Sequence, residues 1–300
     1  MTKKWSSRLT FFAFVVLMVG LGSNDSLRGI FSTIFQEHFS LTTTQLGLIV
    51  TASYIGNLVF LLVGGNLSTR FSKKRVLQVL ILIWMAALAL FAFTSNYTVL
   101  LIGMALALGS STLLNTTMNL ITPLLFATAP GFFVNFLFFT QEIGTSGSQY
   151  ILGSHADGFA FWQHTNLVLL ILGAVAFVLL LFCNVPEEAA APADAPAQKG
   201  GYDWRIIVPY VLVFGFYFIA EHGVMNWMVA YGVDGLGLPQ ASAAKYLSVF
   251  FGGMMIGRLC LSPLVDKLGA LKSLAAFGGV SCVLYLIGSL GGAGTMPVWA

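Results

Sequence analysis

Asp25, Arg28, Glu142, Glu221, His222, Lys245 and Arg258 stand inside long apolar stretches, where an ionisable group needs a reason. A charge at the centre of a bilayer costs about 3 kcal/mol on insertion scales, so each must find a partner or a task. Asp25 and Arg28 are three residues apart and share one face of a helix. One reading is a neutralised structural ion pair. The other is an acid that takes and gives a proton while Arg28 sets the balance between its two forms, a balance that a bound solute can tip. Glu221 and His222 are adjacent titratable groups, and histidine titrates near neutrality and can relay protons. Sequence neighbours on a helix point about 100° apart, so the two cannot both face one cavity squarely. Lys245 falls near the end of its span and can snorkel to the interface, so it is given no role.

Uncharged polar residues repeat at helical spacing beside these charges. Ser111, Asn115, Asn119 and Thr122 form a stripe that faces either a central cavity or a hydrogen-bonding neighbour helix. Gln141 and Glu142 follow, with Thr145 and Gln149 continuing the Glu142 face, and Gly144, Gly147 and Gly153 permit close helix approach. Asn226 lies one turn beyond His222. Trp227 and Tyr231 offer stacking surfaces for a solute, or an aromatic belt at the interface, the latter preferred for Tyr231.

Other chemistries find no support. No helical metalloprotease motif and no Gly-rich phosphate loop occurs. His155, Asp157 and His164 match no zinc spacing, so no metal and no cofactor is expected. Cys183, Cys260 and Cys282 read as small buried apolar side chains. With no nucleophile–base set visible, an enzyme ranks last. The net charge of +3 is too small to suggest a nucleic-acid partner.

The elements that must position these residues are membrane spans. Of the 300 residues, 57% are hydrophobic and 8% charged, with mean hydropathy +0.87, far from the composition of a soluble domain. A spanning helix needs about 20 apolar residues. Nine spans are expected at roughly 9–36, 44–66, 76–95, 98–125, 132–153, 165–183, 205–231, 241–264 and 270–290, and Gly291–Ala300 reads as the start of a tenth. No alternating barrel pattern competes. The first residues resemble a signal peptide, but the apolar stretch resumes from Gly29 to Phe35, which argues for retention. Lys3, Lys4, Arg8, Arg70, Lys73, Lys74, Arg75, Lys199, Arg205, Lys267 and Lys272 fall in alternate connections, and the other connections hold no Lys or Arg. This bias places the N-terminus in the cytoplasm. An Ala/Pro-rich acidic stretch marks a linker at 185–204 between an N-terminal six-helix bundle, 1–184, and a partial C-terminal bundle, 205–300.

The two parts repeat. Laid over one another without a gap, the first three spans fall on the seventh to ninth: Asn24-Asp25 on Glu221-His222, Gly56 on Gly253, Arg70 on Lys267 and Arg75 on Lys272. Parallel repeats of this kind occur in transporters. Between the second and third spans stands Gly65, followed by Thr69-Arg70 and then Ser72-Lys73-Lys74-Arg75. The second copy reads Asp266-Lys267-Leu-Gly269. Together they resemble the loop signature of the major facilitator superfamily, G-x-x-x-D-R-x-G-R-K, with Thr69 in place of the acid and Ser72 in place of the glycine in the first copy. Asn24-Asp25, Leu114-Asn115 with Asn119, Pro130-Gly131 with Asn135, and Tyr217 to Glu221 with Trp227, Tyr231 and Gly257-Arg258 are similar to the fucose-permease-like branch of proton-coupled sugar symporters.

That resemblance implies an all-α membrane protein of two six-helix repeats, twelve helices in all, so the chain is expected to be a C-terminally truncated piece. It implies that Asp25 couples protons. Asn115 stands where the branch carries a glutamate, and Glu142 is the best substitute for that missing acid. Gln141 matches a position used for solute hydroxyls. Gly65, Arg70, Lys73, Arg75, Arg258, Asp266 and Lys267 are expected to fix topology and latch the cytoplasmic side. Proton-coupling candidates are therefore Asp25, Glu142, Glu221 and His222. Solute-binding candidates are Arg28, Asn115, Asn119, Gln141 and Trp227. The expected function is secondary active transport of a small polar solute, a sugar by resemblance, across the inner membrane by a monomer whose partners are the solute, protons and lipid. The alternatives are an exporter of amphipathic compounds and a non-transporting receptor.

Overall fold

The computed structural model describes residues 3–186 and 204–290, which fold into helices with no strand among them. Ten α-helices follow in order: α1 (Lys3–Ile30), α2 (Ser32–His38), α3 (Thr43–Arg70), α4 (Lys73–Phe93), α5 (Tyr97–Leu125), α6 (Pro130–Ile151), α7 (Phe159–Phe182), α8 (Trp204–Ala230), α9 (Gln240–Leu268) and α10 (Ala270–Leu290). A π-helical turn, Tyr231–Gly235, closes α8. Most of the expected linker and all of Gly291–Ala300 lie outside the described residues. So do the surroundings of Gly65, Arg70, Arg258, Asp266 and Lys267, although these five fall on the backbones of α3 and α9.

The first expected span, 9–36, is interrupted at Phe31. There the Ser32 hydroxyl donates to the Gly29 carbonyl at 2.9 Å, and a side chain that claims a helical carbonyl bends the chain. Seven helices among the described residues are long and apolar enough to cross a membrane, whereas α6 and the described part of α9 fall below that mark. The reason is visible in their packing. Both carry polar faces turned inward: Thr145 donates to the Gly22 carbonyl of α1 at 3.2 Å, and Ser146 and Ser248 exchange bonds between α6 and α9. Their polarity meets protein rather than lipid, the only arrangement hydrocarbon permits.

α1 and α5 are the most enclosed spans, with 56% of an 18-residue stretch of each buried, and α1 packs along α6, α7 and α8. Two apolar cores form. One runs from Ala13 to Val185, and the other is built from Val224, Met225, Met228, Val229, Ala243, Leu247 and Phe251. A Cβ on Gly22 would strike the Gln141 carbonyl, and one on Gly144 would strike that of Val19, so α1 and α6 touch backbone to backbone. Gly147 faces open space, so of the expected small contacts it contributes none. Cys183 is buried, but Cys260 and Cys282 are exposed, contrary to expectation. On the outside of a span a weakly polar thiol meets lipid without penalty.

At the basic ends of the helices, Ser72 caps α4 by accepting from the Arg75 amide at 3.4 Å. Arg75 itself is exposed and Lys73 half-buried. Lys74 donates to the Leu181 and Cys183 carbonyls at 3.1 and 2.6 Å, tying α4 to the end of α7, where a cation also suits the helix dipole.

The α1–α6 contact yields the first prediction. Gly144→Val forces the two backbones apart and is expected to lower stability by about 3 kcal/mol or more, at or beyond the usual limit of overpacking. Gly147→Val, three residues further along the same helix but facing open space, is expected to be near neutral. Thermal unfolding of the two purified variants against the parent checks the contrast; equal melting points would refute the packing.

Candidate functional site

The charged residues of α1 are placed as their spacing predicts. Arg28 Nη1 lies 3.9 Å from Asp25 Oδ1, and Arg28 is 5% exposed. Ser111 of α5 donates toward both Asp25 oxygens at 3.4 Å. Arg28 Nε donates to Asn226 Oδ1 of α8 at 3.4 Å, and Asn226 Nδ2 donates to the Tyr54 hydroxyl of α3 at 3.2 Å and to the His222 carbonyl at 2.7 Å. Four helices, drawn from both ends of the sequence, thus meet at one buried cation.

His222 contributes its ring as well. Nδ1 lies 3.0 Å from the Phe218 carbonyl, and a carbonyl only accepts, so Nδ1 carries the hydrogen. In the neutral ring Nε2 is then the basic atom. The ring stands edge-on to Tyr54 at 5.4 Å. Glu221, its neighbour, is half-buried and makes no hydrogen bond or ion pair among the described residues, in keeping with the angular separation expected of adjacent positions.

The polar stripe of α5 continues from this cluster. Below Ser111, Asn115 Nδ2 donates to Gln141 Oε1 of α6 at 2.7 Å, and Asn119 Nδ2 donates to Asn115 Oδ1 at 2.6 Å. Thr122 turns back onto the Met118 carbonyl of its own helix. Beyond the stripe, toward the basic ends, α1, α5 and α6 enclose a groove of about 910 Å³ lined by Ser7, Arg8, Phe11, Phe126, Phe133 and Phe136. The ring of Phe126 stacks on Phe133 at 3.8 Å, and Phe11 meets both edge-on.

Glu142 is 6% exposed and belongs to the α6 face that carries Thr145, Ser146 and Gln149, directed at α1 and α9. The partners of Asp25 are Arg28 and Ser111, so Glu142 is not among the groups gathered around it. Trp227 packs against the first core. Lys245 lies over the Tyr150 ring at 5.9 Å. No group of His, Cys, Asp and Glu among the described residues could hold a metal ion.

Two features escaped the sequence reading. Tyr54 was not singled out, although a tyrosine in mid-span brings a hydroxyl that needs a partner, and that is the signal that could have found it. Asn24, read together with Asp25, faces the other way: it accepts from Trp84 Nε1 at 3.1 Å, and the indole is fully buried. Asn24→Leu keeps the side chain's size and removes the acceptor, leaving the buried Trp84 N–H without that bond. The expected loss is about 1–3 kcal/mol. Measured by denaturant unfolding, an unchanged midpoint would show that the bond contributes nothing.

The fold has counterparts among known proteins. The family model described as the Major Facilitator Superfamily matches residues 10–300. The cis,cis-muconate transport protein of Acinetobacter baylyi is 24% identical, covering 92% of this chain and 70% of that protein. The L-fucose-proton symporter of Escherichia coli is 23% identical, over 89% and 70%. Among solved structures, the Major Facilitator Superfamily transporter FucP in the outward conformation superposes with a TM-score of 0.67 at 20% identity, over 98% of this chain and 81% of FucP. A bacterial homologue of the lysosomal transporter Spinster, inward-facing, gives 0.72 at 14%, over 98% and 71%. An all-helical fold with these likenesses and a match across nearly the whole chain has one reading: the chain belongs to the Major Facilitator Superfamily, a family of membrane transporters and not of enzymes.

Proposed function

We propose that this protein carries a small polar solute across the inner membrane, coupled to protons, by alternating exposure of a central site between the 1–184 and 205–300 bundles joined by the 185–204 linker. The N-terminus and the basic ends face the cytoplasm on this reading, because Arg8, Lys74, Arg75, Arg205 and Lys272 gather there. The observation that carries the proposal is the buried Asp25–Arg28 pair, held by Ser111 on one bundle and Asn226 on the other. A carboxylate beside a cation, at the seam between two bodies, can exchange a proton for a change in its partner's contacts.

Asp25 takes the proton. Arg28, Asn115, Asn119 and Gln141 supply donors and acceptors for the solute, along the stripe that leads from Asp25 to the basic ends. His222 Nε2 and Glu221 serve as a relay on α8, and Glu142 as a second acid on α6. The relatives described above are named for muconate and for L-fucose with protons, and another, 28% identical over 71% of this chain, is the hexuronate transporter of Bacillus subtilis. Sugars and organic acids are therefore the classes to try, and the buried guanidinium of Arg28, with its planar fork of donors, suits an acid. A second reading, export of amphipathic compounds, draws support from the phenylalanine-lined groove at the basic ends.

Proteoliposomes holding the purified protein test the proposal. On adding members of a panel of sugars and sugar acids, the external medium is expected to turn alkaline for the cognate solute. Asp25→Asn is expected to cut the coupled signal by at least about tenfold, an effect of about 1.4 kcal/mol on the coupled step. A folded protein that gives no response to any member would overturn the uptake proposal. Efflux of amphipathic dyes, with Glu142→Gln and Glu221→Gln, would then be measured in its place.

A further inference from the structure

A set of hydrogen bonds joins the two parts of the molecule on one side. Among the described residues they are Arg28 to Asn226, Asn226 to Tyr54, Thr33 to Gln240 at 2.9 Å, Gln240 to the Ile30 carbonyl at 2.6 Å, and the exchange between Ser146 and Ser248. All lie toward the end opposite the basic ends. There α1 and α8 approach so closely that a Cβ on Gly29 would strike the Met225 carbonyl. Toward the basic ends, by contrast, Tyr210, Val211, Phe214, Phe216 and Ile219 of α8 are exposed. The protein is therefore closed on one side, and opening that side must break this set.

Within the set one side chain is unlike the rest. Asn226 is 2% exposed and uses its whole carboxamide: the oxygen accepts from Arg28, one hydrogen serves Tyr54 and the other the His222 carbonyl. It is also the only one of these contacts that shares a partner with Asp25, since Arg28 is bonded to Asn226 through Nε and faces Asp25 through Nη1.

We infer that Asn226 is a positioning residue that latches α8 to α1 and α3 and, through Arg28, ties closure of the non-basic side to the state of the Asp25 pair. Gln240, clasping Thr33 and the Ile30 carbonyl, is the second catch of the same latch. The inference rests on alternating exposure of the two sides, but not on any solute or on proton coupling. Replacing the carboxamide by an apolar group of similar size leaves Arg28 and Tyr54 without their shared partner in the closed state, so the open state gains population.

Distance measurement separates this from a merely structural role. In a background with Cys183, Cys260 and Cys282 changed to serine, Asp157→Cys and Asp234→Cys place spin labels on exposed positions of the non-basic side, one on each part. Double electron–electron resonance on the purified protein needs no solute, so it reads the latch even if the uptake assay fails. The parent is expected to give a dominant short distance. Asn226→Leu is expected to raise the fraction at longer distance by roughly fivefold or more, and Gln240→Ala to shift it in the same direction. Gel filtration and melting confirm that each variant is folded, and Gln240→Ala keeps the test alive should Asn226→Leu fail to fold. Folded variants with the parent distribution would overturn the inference.

Discussion

A guanidinium cannot be left in hydrocarbon, and the interior of this protein is arranged around that fact. Arg28 sits almost wholly out of reach of solvent, in the last turn of α1. Its charge is faced by Asp25 and its Nε is bonded to Asn226. Ser111 and Tyr54, in turn, bond to those two partners. Each lies on a different helix, so satisfying one side chain fixes the relative placement of α1, α3, α5 and α8. The 3.9 Å separation of Arg28 and Asp25 is long for a charge-assisted bond, and the cation is thus held between an acid and an amide rather than committed to either. A pair of that kind can be redistributed by a proton or a solute at modest cost, which a tight bidentate bridge would resist.

The same accounting of polar groups explains the layering. Helices that carry polar faces, α6 above all, turn them toward α1, α5 and α9. Glycines at positions 22 and 144 let α1 and α6 close to backbone contact, which supplies the dispersion that lipid-exposed packing otherwise lacks. An apolar core forms in each part, Trp227 of the second packs against the core of the first, and hydrogen bonds join the two on the side opposite the basic ends. Two bodies with their own cores and a polar seam can move as units, since the seam is cheaper to rearrange than either core.

How much of this was legible in the sequence follows from the range of each interaction. Helices follow local hydropathy and were read on that ground, seven of them long and apolar enough to span among the described residues, with the interruption at Phe31 missed because Ser32 is only a weak local signal. Asp25 and Arg28 are three apart, so their pairing needed nothing beyond helical geometry. The α5 stripe was legible for the same reason, and the structure adds that Asn115 is bonded to Gln141 of the next helix. Tyr54 and the office of Asn226 were not legible, because a contact between residues 172 positions apart depends on which helices become neighbours. Asn24 shows the converse hazard: adjacent in sequence to Asp25, it points across the helix to Trp84 and belongs to the packing.

The central claim is that Asp25 changes its protonation when the site is filled. Infrared difference spectroscopy on the purified protein reads this directly, comparing solute-free and solute-saturated samples of the parent and of Asp25→Asn. The account predicts a change in the carbonyl stretch of a protonated carboxyl group in the parent, absent from Asp25→Asn. The same band in both proteins would contradict it and would move the proton to another acid, with Glu142 and Glu221 the ones to replace next.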